Sequence, residues 1–352
     1  MAFMIRILSF PSRHPYMAKF HKSGEIFFVN PETDYFNKFG GDASVEFINK
    51  THPHNSYDLV HIHFSFDKLS VFELENLLNY FDNIKKPVVW TCHSRESQRE
   101  KDIGNGELQK MLWSRAKAII TPTQSCKDWL VSSYGTDKSI DVIPLGYIVD
   151  PNTLYLYRNE LNKKEKTNFV YLIGDMRQNK EIYFSIDSFL KSLELSDCIL
   201  MVIARPRFIS KENIDSLDEE RKRIMNNILS SPRIKLNIEL EISNEALVEI
   251  FCKSHVCMLP YLWGTHSGQV ELSKDCGCYP VISNVGFYEE QSDQVIEFCY
   301  NDNLSVFVDN FVQALKKAKE MPLLAPNSEL RKYEFKAILQ QHLGVYRGVL
   351  KN

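Results

Sequence analysis

Two short segments of this chain bring together residue types suited to a phosphate-bearing ligand. The first is YLIGDMRQNKE (171–181), where an apolar strand ends at Gly174 and a helix is expected to begin near Asn179. Arg177 and Lys180 lie within one helical turn of each other. A guanidinium fork beside an ammonium stabilises a diphosphate leaving group as its charge develops. The plainer reading is a solvated pair at a helix start. Positive charge there is electrostatically unfavourable, which favours an anionic partner. The second segment, 256–290, reads as an apolar strand (Val256–Leu259), a turn at Pro260, the loop Gly264-Thr265-His266-Ser267-Gly268, a helix carrying Glu271, and a strand Pro280–Ser283. Such a loop offers backbone N–H groups, hydroxyls and a helix N-terminus to an anion. A carboxylate one turn into the helix accepts hydrogen bonds from vicinal sugar hydroxyls. The plainer alternatives are an ordinary N-cap at Thr265 or Ser267, and a solvent-facing Glu271. Together the two segments read as a nucleotide-sugar site.

His93 ends the strand VVWTCHS (88–94), in position to hydrogen-bond a sugar hydroxyl or steady developing charge; a satisfied structural histidine is the alternative. His61 and His63 alternate along DLVHIHF (58–64) and so share one face, with no third ligand to make a metal site. The eight cysteines sit mostly in apolar strand-like stretches and read as reduced core residues. Cys252, Cys257, Cys276 and Cys278 lack the paired C-x2-C spacing of a zinc site, so no metal is expected. No G-x-G-x-x-G follows the first strand, and there is no Walker loop, nucleophile elbow or zinc-protease helix.

The elements that must position these residues alternate along the chain. Strands are expected at 4–10, 25–29, 58–64, 87–91, 118–121 and 141–144, then again at 169–173, 199–204, 234–237, 256–259, 280–282 and 297–300. Helical patterns lie between them, among them 71–81, 125–133, 180–192, 211–229, 244–253 and 304–321, with a last helix from Ser328 to about Leu350. Near-continuous apolar strands separated by helices indicate parallel sheets covered on both faces. The polar stretch 159–168 divides the two halves, and 352 residues suit two domains. A net charge of −3 gives no reason to expect nucleic acid, and the longest apolar runs are strand-sized, so no transmembrane helix is expected. The first residues are too short an apolar run for a signal peptide, which suggests the cytoplasm and leaves peripheral membrane contact open.

In order and spacing, the segments DLVHIHF, VVWTCHS, AIITPTQSCKDWL (118–130), DVIPLGY (141–147), GDMRQNKE (174–181) and 256–290 resemble the GT-B glycosyltransferases, in particular retaining enzymes like those of glycosyltransferase family 4. The resemblance implies two Rossmann-like doubly wound domains facing across a cleft. They are an acceptor-side domain at 1–155 and a donor domain at 156–335, with a C-terminal helix at 336–352 returning to the first. It implies that Arg177 and Lys180 contact the donor diphosphate and that His93 lies near the donor sugar. Gly174 and the 264–268 loop would line the donor site, and Glu271 would bind the ribose. Arg13, His14 and His63 would stand on the acceptor side. The family's two glutamates flank a G-F-G loop; here the first is missing and Gly264-Thr265-His266-Ser267-Gly268 takes the loop. The spacing from Glu271 to Pro280 is also longer, and PSRHP (11–15) replaces the usual Gly-Gly loop after the first strand.

The expected activity is therefore retaining, metal-independent transfer of a sugar from a nucleotide-diphosphate sugar, with UDP or GDP as the nucleotide, to an acceptor hydroxyl. No further cofactor is expected, and the acceptor and oligomeric state are not legible. The alternatives are a sugar-nucleotide epimerase of the same fold, which would need an acid/base carboxylate, and a non-catalytic nucleotide-sugar-binding subunit.

Overall fold

The computed structural model describes residues 4–12, 15–30, 44–63, 69–95 and 105–351. Two compact units result. One comprises the described residues up to Ile148 together with 332–351, and the other spans Val149–Arg331. The polar stretch 159–168 falls inside the second unit, where it covers the end of a short helix at Arg158–Leu161 and the first residue of a strand.

The first unit carries β1 (Ile5–Phe10), β2 (Ile26–Phe28), β3 (Leu59–His63), β4 (Val88–Thr91), β5 (Ala118–Thr121) and β6 (Ile140–Val142). The second carries β7 (Asn168–Gly174), β8 (Ile199–Ala204), β9 (Ile234–Ile238), β10 (Val256–Leu259), β11 (Tyr279–Ser283) and β12 (Ile296–Phe298). Each set forms one six-stranded parallel sheet, in the orders β2-β1-β3-β4-β5-β6 and β12-β11-β10-β7-β8-β9. This is the doubly wound α/β architecture expected from the strand pattern. β3, β4, β5, β10 and β11 are buried along their whole length; β4, β5 and β10 accordingly run almost continuously apolar, while β3 carries His61 and His63 on one face.

Strand order decides where a ligand can enter. Counted within the second unit, β9-β8-β7-β10-β11-β12 is the order 3-2-1-4-5-6, which reverses direction between β7 and β10. The helices on either side of that point diverge to opposite faces of the sheet and open a crevice at the strands' carboxyl ends. In the first unit the reversal lies between β1 and β3, at the carboxyl ends Phe10 and His63.

Two helices depart from the sequence expectation. The helix expected over 180–192 spans Tyr183–Lys191, because residues 179–181 pair with another loop instead. The pattern over 211–229 divides into Lys211–Ser216 and Glu219–Ser230, since the Asp218 side chain accepts the Arg221 N–H and restarts the helix. The cysteines are all free, and all are buried except Cys299, which is exposed. No helix among the described residues is long and apolar enough to cross a membrane.

The last helix, Ser328–Lys351, returns to the first unit: Ile338, Leu343 and Tyr346 enter one apolar cluster with Ile5, Ile7, Leu59 and Val89. Truncating a fully buried leucine removes its apolar contacts and leaves a cavity. Leu343→Ala is therefore expected to cost about 2–5 kcal/mol, measured as a lowered midpoint in denaturant unfolding.

Candidate functional site

The site on the second unit is built at the β7/β10 crevice from two loops that are bonded to each other. After β7 the chain turns through Gly174, whose φ of +64° suits glycine, and Met176, which takes a φ of +52° despite its side chain. The backbone then pairs with the stretch after β10. Lys180 and Tyr261 form an antiparallel bridge, the Leu262 N–H donates to the Asn179 carbonyl at 2.8 Å, and the Glu181 N–H donates to the Pro260 carbonyl at 2.9 Å. The Asn179 amide adds a bond to the Trp263 carbonyl at 3.1 Å. Glu181 then takes the N–H groups of Phe184 and Ser185 at the first turn of the following helix, which fixes its start. Arg177 and Lys180 thus sit on a pinned loop and not on a helix.

Their surroundings differ. Arg177 is exposed, while Lys180 is 8% exposed. The Lys180 ammonium donates to the last carbonyls of β7, Leu172 at 2.6 Å and Ile173 at 3.3 Å, and lies 5.7 Å from the centre of the Tyr261 ring. Burial, then repulsion from the Arg177 charge, lowers its pKa to about 7. The Arg177 charge lowers the Lys180 pKa and Asp175, itself bonded to Arg205 at 2.6 Å, raises it, so the ammonium responds to charge placed near it.

The second loop is packed from beneath. The Tyr288 ring stacks on Tyr261, with centroids 5.9 Å apart. It lies so close to Gly264 and Gly286 that a Cβ on either would collide with it. The Thr265 carbonyl accepts the Phe287 N–H at 2.8 Å. Ser267 caps the Gly268–Cys276 helix through its hydroxyl, which also meets the Tyr261 hydroxyl at 3.0 Å. Gly268 borders open space, with nothing within 4 Å of where a Cβ would stand. His266 is buried, and desolvation lowers its pKa to about 4, so the imidazole is neutral at physiological pH.

Glu271 is turned inward. It is 3% exposed, and its Oε2 accepts Arg331 Nη2 at 2.7 Å. Arg331 thus engages one oxygen of the carboxylate, and the other, Oε1, meets Gln291 Nε2 at 3.4 Å. Tyr261, Tyr288, Gln291 and Arg331 were not singled out by sequence reasoning, because their roles arise from contacts across segments that no local spacing encodes.

On the first unit, His93 and His63 come together at the carboxyl ends of β4 and β3. Both are buried, with His63 Nδ1 3.4 Å from His93 Nε2 and the Tyr16 ring edge-on to each at 5.3 and 5.0 Å. His61, on the same face, is bonded to the Tyr346 hydroxyl at 2.8 Å and the Thr91 hydroxyl at 2.7 Å, and its role is structural. Arg13 and His14 lie outside the described residues. Among the described residues no group of three or more His, Cys, Asp or Glu is arranged to hold a metal ion.

Residues 10–150 match the family model Glycosyltransferase Family 4, less than half of the chain. Solved structures share the fold over nearly its whole length. Sucrose-phosphate synthase from Thermosynechococcus elongatus matches with a TM-score of 0.62 at 13% identity, covering 99% of each chain. The Anabaena protein HepE in complex with UDP-glucose matches with a TM-score of 0.62 at 13% identity, covering 98% of this chain and 100% of that one. The α,α-trehalose 6-phosphate synthase from Burkholderia multivorans gives 0.56 at 11% identity, over 99% and 96%. No curated protein sequence matches. The chain thus shares its fold with these proteins, and its residues 10–150 are similar to Glycosyltransferase Family 4.

The lowered Lys180 pKa has a definite sign in stability. The unfolded side chain titrates near its ordinary value of about 10.4, so between about pH 7 and pH 10 the unfolded chain binds the proton that the folded protein has released. The cost of burying the ammonium is present in full below pH 7 and is relieved as pH rises. Labelled-lysine NMR should show one Nζ titrating near pH 7. Lys180→Met should remove both that signal and its share of the rise in stability toward pH 10.

Proposed function

We propose that the protein is a retaining, metal-independent glycosyltransferase that takes a sugar from a UDP-sugar and passes it to an acceptor hydroxyl. The observation that carries this reading is the Arg177–Lys180 cation pair, pinned at the carboxyl ends of β7 and β10 beside the N-terminus of the Gly268–Cys276 helix. UDP is favoured over GDP because a protein of the same fold, HepE, is described in complex with UDP-glucose.

In this mechanism Arg177 and Lys180 neutralise charge as the bond between the anomeric carbon and the β-phosphate oxygen breaks. Their positive charge does the work that a divalent cation does elsewhere. Lys180 meets a diphosphate as an ammonium, because a nearby anion raises its pKa again. The open space at Gly268 admits phosphate oxygens to the helix N-terminus, where the aligned N–H dipoles favour negative charge. Gly174 leaves the mouth of the first loop equally open. The acceptor hydroxyl attacks on the face the leaving group departs from, and the departing phosphate takes its proton. On the first unit, His93 is assigned to the donor sugar and His63, with Arg13 and His14, to the acceptor side. His266, neutral at physiological pH, stands where the family's first glutamate is missing and supplies a hydrogen bond without charge.

The direct test is turnover of a panel of nucleotide sugars by purified protein, with and without chelator. Activity should survive chelation; its complete loss would refute the metal-independent mechanism. Arg177→Ala and Lys180→Ala should each lower the rate by about 10²–10³, and unchanged rates in both would remove them from the site. Lys180→Arg keeps a permanent charge and should flatten the weakening of UDP affinity from pH 6 to 9 expected of the unsubstituted protein. Gly268→Leu fills the open space at the helix N-terminus and should abolish UDP binding in calorimetry while the thermal midpoint stays near that of the parent.

A further inference from the structure

The Gln291 side chain makes a two-point clamp on the backbone of Ser267, bonding the peptide groups on both sides of it. Its Oε1 accepts the Ser267 N–H at 2.8 Å, and its Nε2 donates to the Ser267 carbonyl at 3.2 Å. The same Nε2 reaches Glu271 Oε1 at 3.4 Å. Behind Glu271 stands Arg331, whose Nη2 bonds Glu271 Oε2 at 2.7 Å and whose Nε bonds Asp275 Oδ1 at 2.7 Å. Asp275 Oδ2 in turn accepts the Val149 N–H at 2.9 Å. Glu271, Asp275 and Arg331 are each no more than 3% exposed.

Every link depends on the chemistry of its residue. A carboxamide offers both an acceptor to the Ser267 N–H and a donor to its carbonyl, which a carboxylate does not. A glutamate at 291 would set an acceptor against the Ser267 carbonyl and a second carboxylate against Glu271. Only a guanidinium presents donors in a rigid fork that serves two carboxylates spaced one helical turn apart. Ser267 is the N-cap of the helix beside which Gly268 opens to space, so the clamp holds the two peptide groups that lead into that helix end.

We propose that Gln291 is a positioning residue for the anion-binding loop, and that Glu271 acts behind it, through Arg331 and Gln291, and not as a ligand of the donor ribose. The idea that the positioned loop receives a nucleotide diphosphate rests on the proposed function; the clamp itself does not. Val149 and Arg331 are the two ends of the Val149–Arg331 segment of the second unit, so the helix Gly268–Cys276 bonds both ends of that segment.

The test uses the full chain in three forms: unsubstituted, Gln291→Glu and Gln291→Ala. Hydrogen–deuterium exchange in the absence of ligand should rise at least about tenfold in the 264–270 segment of both variants, with the rest of the second unit unchanged. UDP-glucose turnover should show KM raised about tenfold, the loss of a bond or two, with kcat within about threefold. A merely structural residue would instead lower the thermal midpoint and reduce active protein without altering KM. Unchanged exchange in the 264–270 segment in both variants overturns the clamp. Glu271→Gln keeps one acceptor for Arg331, whereas a ribose ligand would lose its charged contact with substrate. A loss of kcat/KM in Glu271→Gln with 264–270 exchange unchanged therefore overturns the positioning role of Glu271. Absence of UDP binding by the unsubstituted protein refutes the donor reading, and the exchange result then decides the clamp alone.

Discussion

The backbone pairing of residues 179–181 with 260–262 is the constraint on which the rest of the second unit's site depends. It ties the loop after the first strand of that sheet to the loop after the fourth, across the point where strand order reverses. A crevice at a switch point is a consequence of topology. A crevice whose two lips are hydrogen-bonded to each other is already ordered before a ligand arrives, so little ordering entropy is left to lose on binding. The pairing also explains why Lys180 is buried: its backbone is held in a bridge, and its ammonium folds back onto the terminal carbonyls of β7.

From that constraint follows an electrostatic asymmetry. One cation of the pair is exposed and permanently charged, while the other is buried and poised to titrate. A pair of this kind responds to a polyanion in two ways, through direct attraction and through recovery of the proton that burial had displaced. Neutral His266 in the facing loop adds no competing charge. The loop's shape is set by Tyr288 and Gln291: Gly264 in the loop and Gly286 after β11 allow the Tyr288 ring to pack closely, and Gly268 borders open space.

The first unit follows the same logic with different chemistry. Its switch point also places side chains at strand carboxyl ends, but there the residues are aromatic rings: His63, His93 and Tyr16 in mutual contact, backed by His61, Thr91 and Tyr346. Tyr346 comes from the C-terminal helix, so the chain's last helix supports the histidine that lies beneath this cluster.

The sequence by itself determined the strands, the parallel doubly wound class and the resemblance that placed Arg177, Lys180, His93 and the 264–268 loop in one enzyme. It did so because buried parallel strands read as continuous apolar runs, and because strand-terminal residues are found by counting. Some helix boundaries escaped it, at Lys180 and at Asp218, where a tertiary pairing and a local cap override periodicity. Tertiary structure alone decided what each charged group faces. Glu271 sits at the right place on its helix to meet a sugar, and nothing local distinguishes that from meeting Arg331, sixty residues along the chain. Side-chain partners across such separations are fixed by packing, and packing is not written in spacing.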